Sequence, residues 1–219
     1  MNPFKTRFFK HYKNKPYKFL QIVRHSETLE EMALYETLYE NKQGRLWVRP
    51  KAMFFEKVNI EGKEVPRFAP IEFTFKNFTQ FNEELLADIK IIYKSCFNVE
   101  LNESFFKSKL QAHSEFHILL AYEDTTPVGM KIGYKIDQHR FYSWQGGVVP
   151  EYQGLGVASE MFRLQDEWCR KQYFKVIETR TRNPYKQMIK LNLQNDFQII
   201  GTVSDKKKGI KIIFEKVLS

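Results

Sequence analysis

The feature that most constrains this 219-residue chain is the stretch Gly146-Gly147-Val148-Val149-Pro150-Glu151-Tyr152-Gln153-Gly154-Leu155-Gly156-Val157-Ala158. Before it, Arg140 to Val149 reads as a strand. After it, about Leu155 to Lys171 reads as a helix, with Ala158, Met161, Phe162, Gln165, Trp168 and Cys169 stacked at helical spacing. A strand that turns through glycines straight into a helix brings the helix N-terminus up beside the strand end. Gly154, Gly156 and the small Ala158 leave backbone uncovered there. Uncovered N–H groups and the positive end of the helix dipole make a site for a phosphate or pyrophosphate, and Gln153 can add one hydrogen bond to the same anion. These residues alone leave three readings: a phosphate-bearing ligand, a strand-to-helix turn that binds nothing, or a dinucleotide fingerprint with Glu178 as its ribose-binding acid. Ser159 where a third small residue belongs, and the antiparallel-looking succession of earlier strands, count against the last.

The pattern along the chain changes at Val65-Pro66-Arg67-Phe68-Ala69-Pro70, which predicts a junction between a domain at 1–70 and another at 71–219. Upstream, short strand-type runs dominate: Tyr17 to Arg24, Leu46 to Arg49 and Met53 to Ile60, with a turn at Glu61-Gly62. Glu30 to Tyr39 fits a helix cap or a strand, and the strand is favoured because Asn41 to Gly44 then reads as a hairpin loop. A small β-barrel or roll is expected there. Downstream, the reading is a strand at Ile71 to Phe75, helices at Asn82 to Phe97 and Glu103 to His113, and strands at Phe116 to Tyr122, Val128 to Ile136 and Arg140 to Val149. The helix after the glycine loop follows, then a strand at Phe174 to Thr181. Asn183 as N-cap and Pro184 as first residue open a helix to about Gln194. A hairpin, Ile199 to Val203 with Ile210 to Val217, closes the chain around Lys206-Lys207-Lys208. The fold class is α+β, the second domain being a mixed, mostly antiparallel sheet flanked by helices.

Composition narrows the function classes. A hydrophobic content of 42% is enough for a packed core and excludes a mostly disordered chain. Two cysteines, Cys96 and Cys169, exclude a disulfide scaffold and a cysteine metal cluster, and isolated His11 and His25 argue for no metal. No apolar run approaches the length of a membrane span. The basic Met1 to Lys18 stretch lacks the apolar core of a secretory signal, so a soluble cytoplasmic protein is expected. The net charge of +9 is spread along the chain, which suits a polyanionic small ligand better than a dedicated nucleic-acid binder.

Residues 73–219 resemble the GNAT superfamily of acyl-CoA-dependent N-acyltransferases. The resemblance rests on Gln153-Gly154-Leu155-Gly156-Val157-Ala158, which matches the family's coenzyme A signature. It rests also on Gly147-Val148-Val149-Pro150, which matches the strand ending in a splayed bulge. The run Asn183…Met188…Leu191-Asn192…Asp196-Phe197-Gln198-Ile199-Ile200-Gly201 matches the last helix and strand. The resemblance implies acetyl-CoA as acyl donor, held by Val148, Val149, Pro150, Gln153, Gly154, Leu155, Gly156, Val157, Ala158 and Asn183. It implies a Val148 backbone N–H for the thioester carbonyl, and an acceptor site shaped by residues 82–113 and the strand near Tyr142. Two departures matter. Asn192 stands where many members carry a tyrosine that protonates the leaving thiolate, so Tyr185, Tyr142 or Tyr152 would have to substitute. Asp196 replaces a glycine, a smaller change because Asp tolerates a left-handed helix end. A general base is open among Glu115, Glu123, Asp137, His139 and Glu178; Tyr185 is the expected acid and Glu115 the expected base. Trp144 and Trp168 read as core or pocket wall.

Residues 10–68 resemble a small bacterial domain family of unknown function. The match is carried by Lys10-His11-Tyr12-Lys13-Asn14, Arg24-His25-Ser26-Glu27-Thr28-Leu29-Glu30, Leu46-Trp47-Val48-Arg49-Pro50 and Val65-Pro66-Arg67-Phe68. His25, Ser26, Glu27, Thr28 and Arg49 beside aromatic residues suggest a small polar pocket or a bracing network. The expected function is N-acetyl transfer to a primary amine, on a small molecule or a peptide, by direct attack in a ternary complex. The alternatives are an acyl-CoA-sensing module without turnover, and an RNA- or ribosome-associated protein suggested by the basic, aromatic N-terminus. A homodimer is possible on the aromatic content, and neither membrane nor metal is expected.

Overall fold

The computed structural model describes residues 7–205 and 209–218. The lysine run at 206–208 and the first six residues of the basic N-terminal stretch lie outside the described residues. The chain divides into two units between Phe73 and Thr74.

The first unit contains β1 (Phe8–His11), β2 (Lys15–Arg24), β3 (Glu31–Thr37), β4 (Leu46–Pro50), α1 (Lys51–Phe55), β5 (Lys57–Ile60), β6 (Lys63–Pro66) and β7 (Phe68–Pro70). Five strands form an antiparallel sheet in the order β4-β3-β2-β1-β7, with β5 and β6 as a separate hairpin. The sheet is open, with β4 and β7 as its edges, so the barrel considered from sequence does not close. Glu61 and Gly62, both at positive φ, make the two-residue turn between β5 and β6. Phe9, Phe19, Ala33, Tyr35, Phe54 and Phe68 form the core, with Phe54 and Phe68 stacked at 4.2 Å.

Two sequence expectations change here. Met53 to Ile60 is not one strand: Pro50 precedes a short helix that drops Phe54 into the core, and only Lys57–Ile60 is extended. The prolines at 66 and 70 end strands instead of breaking structure. Pro70 is tolerated because β7 is an edge strand, where a missing N–H costs no ladder bond. Ile71 belongs to this unit, donating its N–H to Phe8 O (2.9 Å). The strand expected at Ile71 to Phe75 is accordingly shifted to Thr74–Phe78.

The second unit runs β8 (Thr74–Phe78), α2 (Glu83–Phe97), α3 (Glu103–Gln111), β9 (Phe116–Glu123), β10 (Thr126–Lys135), β11 (Arg140–Val148), a 3-10 turn (Pro150–Tyr152), α4 (Val157–Lys171), β12 (Val176–Arg182), α5 (Lys186–Gln194), β13 (Gln198–Asp205) and β14 (Gly209–Val217). Its seven-stranded sheet has the order β13-β14-β12-β11-β10-β9-β8. Only β11 and β12 are parallel, as the α4 crossover between them requires. Asn82 and Asn102 cap α2 and α3, accepting from Leu85 N (2.7 Å) and Phe105 N (3.0 Å). One sheet face packs Ile118, Leu120, Met130, Ile132 and Tyr134 against α2 and α3. The other packs Phe141, Ile177 and Phe214 against Phe162 and Cys169 of α4. The Asn183-Pro184 cap does not form. Those residues sit in a turn, and α5 starts at Lys186 behind Tyr185, whose side chain makes no cap bond.

Candidate active site

The site is a gap that the sheet opens inside itself. β12 pairs with β11 only from Arg140↔Val176 to Ser143↔Thr179. At that point Trp144 is the extra residue of a bulge in β11, since Ile132 faces Gln145 while Gly133 faces Ser143. Beyond the bulge β11 stays with β10 and loses β12. Val149 N–H donates to Val128 O (2.9 Å). The alternation of an antiparallel ladder therefore turns the N–H and C=O of Val148, and of Gly146 two residues earlier, away from β10 into the gap. Val148, the residue expected to offer its N–H, is the last residue of β11. Gly146 was not singled out; its signal would have been the same parity along the strand, which depends on a pairing partner no sequence pattern names.

The glycine loop closes one end of this gap. Gly154 and Gly156 both sit at φ +79, where an L side chain is strained, and a Cβ on Gly154 would meet nothing within 4 Å. Leu155 and Val157 are buried and anchor the loop. The first rung of α4 is Glu160 N–H to Gly156 O (3.0 Å), so the N–H groups of Val157, Ala158 and Ser159 precede the helical ladder. This is an open-faced helix end with its donors uncommitted to the helix, as an anionic group requires. Gln153 is exposed. Its Nε2 donates to Val148 O (3.1 Å), tying the loop to the gap. Tyr152 OH donates to Glu123 (2.7 Å), and burial pushes that phenol up to about 12. Val149 packs toward the α2 side, and Pro150 opens the 3-10 turn.

The walls are held at close quarters. A Cβ on Gly147 would lie 2.9 Å from Cys96 Sγ, and one on Gly129 would lie 3.2 Å from Met161 Sδ and 3.3 Å from Val157 Cγ1. Glycine is what lets α2 and α4 approach the strands. On the α2 face, Trp144 stacks with Phe106 (5.6 Å) and meets Phe105 edge-on, while Trp168 on the other face stacks on His117 (4.2 Å). Both tryptophans are wall or core, as read from sequence.

The acid and base candidates separate by position. Glu115 pairs with Lys135 (2.5 Å) at the end of the sheet opposite Val148, because Lys135 lies six residues along β10 from Gly129, the partner of Val148. Asp137 accepts from His139 N and Arg140 N in the β10–β11 turn at that same end. Tyr185 is exposed at the start of α5, and Asn183 is exposed in the turn before it. Asn192 is buried, with Nδ2 lacking a partner. Tyr142 and Glu178 lie nearest the gap: they face each other one register before Ser143↔Thr179, the last pair before the strands part. Burial pushes Tyr142 up to about 12. Glu178 accepts from Arg140 (3.2 Å) and Arg180 (2.8 Å).

Beneath α4 lies a buried polar group that sequence reading missed. Lys131 donates to Ser143 (3.1 Å) and lies over the Phe162 ring; burial lowers its ammonium to about 8 against the opposing pull of Asp166. Asp166 is paired with Lys216 (2.6 Å). His117 is fully buried, bonded through Nε2 to Asn77 (2.8 Å), and burial lowers it to about 3. Among the described residues no cluster of His, Cys, Asp and Glu has a metal-binding arrangement, and no helix is long and apolar enough to cross a membrane. In the first unit, His25, Ser26, Glu27 and Thr28 form an exposed turn in which His25 Nδ1 accepts from two backbone N–H groups. Arg49 lies instead over the Phe68 ring.

A mixed sheet splayed between its parallel strands, with an uncapped helix end facing the gap, defines the class: a fold with room for an anionic ligand between two strands. The sequence model of the acetyltransferase (GNAT) family matches residues 85–194, half of the chain, and the chain belongs to that family. It is an acyltransferase. A second family, described only as of unknown function (DUF1653), matches residues 7–70. Solved structures share the fold. The *Escherichia coli* ribosomal-protein-S18-alanine N-acetyltransferase aligns at 12% identity and TM-score 0.56, over 67% of this chain and 95% of that one. *Arabidopsis thaliana* Naa50, with a bisubstrate analogue, aligns at 20% and 0.54, over 66% and 97%. A GNAT acetyltransferase from *Elizabethkingia anophelis* with acetyl-CoA bound aligns at 13% and 0.54, over 67% and 98%. No curated protein sequence matches the chain.

Proposed function

We propose that this chain transfers an acetyl group from acetyl-CoA to a primary amine by direct attack within a ternary complex. The observation that supports this most is the gap itself: backbone donors of Gly146 and Val148 face into it, and the bare N-terminus of α4 stands at its mouth. The residues fit the coenzyme. Gly154 through Ala158 would hold the pyrophosphate, and the freed edge of β11 would bond the amide-bearing arm as a missing strand would. The bound coenzyme supplies an activated acyl carbon. Val148 N–H would hold the thioester oxygen and the negative charge that gathers on it as the amine attacks. Tyr142, one register before the point where the strands part and protonated throughout the neutral range, is the proton donor we assign for the departing sulfur. Tyr185, on the surface, and Glu115, at the far end of the sheet, are set aside. Glu178 is tied to two arginines, which suits it to holding cations in place.

Calorimetry with acetyl-CoA tests the coenzyme site. Gly156→Glu should abolish binding, and Ala158→Asp should weaken it at least tenfold. The second variant favours the helix dipole, so its melting temperature should not fall. Binding unchanged in both variants would refute the site. The buried Asn192, in the place of the family's tyrosine, favours a sensing role as the second reading. Tight acetyl-CoA binding with no thiol release across an amine panel would establish that reading instead.

A further inference from the structure

On the α2 face of the gap the charges do not balance, and the surplus falls on one residue. Arg140 is paired with Glu178 and Glu215, and Arg180 with Glu178. The Arg180 guanidinium lies 5.6 Å over the Tyr142 ring, which fixes the face it occupies. Arg182 is two residues further along β12 and therefore on the same face. It lies beyond Thr179, where β11 has left, and among the described residues it takes part in none of the ion pairs. Both carboxylates of this cluster are committed to arginines. Across the gap, Gln145 faces the same side as its partner Ile132, and its buried Oε1 accepts no hydrogen bond. Trp144 and Phe105 complete an aromatic wall.

We infer that the acceptor is an amine that also carries an anionic group, a carboxylate or a phosphate. This rests on the acetyl-transfer reading above. The α4 side of the gap belongs to the coenzyme loop, so the acceptor comes from the α2 side. Gln145 Oε1 is the acceptor atom available to its amine, and Arg182, supported by Arg180, is the counter-charge for its anion. A polyamine or aminoglycoside would bring several positive charges to a cluster in which both described carboxylates, Glu178 and Glu215, are already paired.

The test is thiol release by the full chain at saturating acetyl-CoA in low salt. The acceptors are free glutamate, glutamate diamide, two peptides with the same N-terminal alanine followed by Glu or by Lys residues, and spermidine. The expected result is a kcat/KM at least tenfold higher for the anionic member of each matched pair than for its counterpart and for spermidine. Arg182→Glu should reverse that order, mainly through KM, and Arg182→Gln should flatten it. Arg182 holds no ion pair among the described residues, so both variants should melt like the parent. Preference for the Glu peptide alone identifies a peptide acceptor, and preference for free glutamate a small one; either supports the inference. Transfer at equal or higher rate to the neutral or cationic amines overturns it while leaving acetyl transfer intact. Acetyl-CoA binding with no amine acetylated overturns both.

Discussion

Single residues here carry constraints that their neighbours in sequence do not reveal. Asp196 takes φ 64, so the glycine-to-aspartate departure is absorbed by a left-handed turn that Asp tolerates. His117 is a different case. It looks like any strand histidine, yet the fold buries it neutral against Trp168 and Asn77. Its folded pKa of about 3 lies below the unfolded value of 6.5, so between those values the unfolded chain binds a proton that the native chain refuses. Its contribution therefore makes stability fall as pH falls from 6.5 toward 3, by at most about 1.4 kcal/mol per pH unit. His117→Gln, which retains a donor for Asn77, should reduce that slope in urea melts at pH 7, 5 and 4. An unchanged slope would show that His117 is accessible or already charged.

At the level of elements, the site depends on how closely two helices approach β11. Gly154 and Gly156 were legible in sequence as a bare turn. The reason for Gly147 was not, because it lies in Cys96, 51 residues away on α2. Gly147→Ala should push α2 off the strand and cost about 1–3 kcal/mol. The Cys96→Ala background should recover part of that loss, so a double-mutant cycle in chemical denaturation should be non-additive. Strict additivity would mean the two elements do not touch there. The helix boundaries teach the same lesson. Asn82 caps α2 as its sequence indicates, because the cap bond is local. Asn183-Pro184 has the same local signature and caps nothing, because the chain leaving β12 must first turn.

For the whole molecule, two units with separate cores imply that coenzyme binding is felt in one of them. Acetyl-CoA should slow amide exchange in the first turn of α4 and the outer half of β11, and leave β1 to β4 unchanged. Equal protection of β1 to β4 would show that the first unit takes part in binding. The sequence by itself determined the order of elements in the second unit and the glycine turn, because periodicity, caps and turn residues act over a few positions. It also located the glycine loop between β11 and α4. Only the tertiary structure decided that β11 and β12 are parallel and part after Ser143, that Gly146 shares the orientation of Val148, that Glu115 lies at the far end of the sheet, and that Tyr142 sits one register before the strands part while Tyr185 is exposed at the start of α5. It likewise decided that the first unit is an open sheet, and that Arg182 on β12 has no counter-ion among the described residues. Each of these depends on which strand lies beside which, and that is set by pairings between residues far apart in the chain.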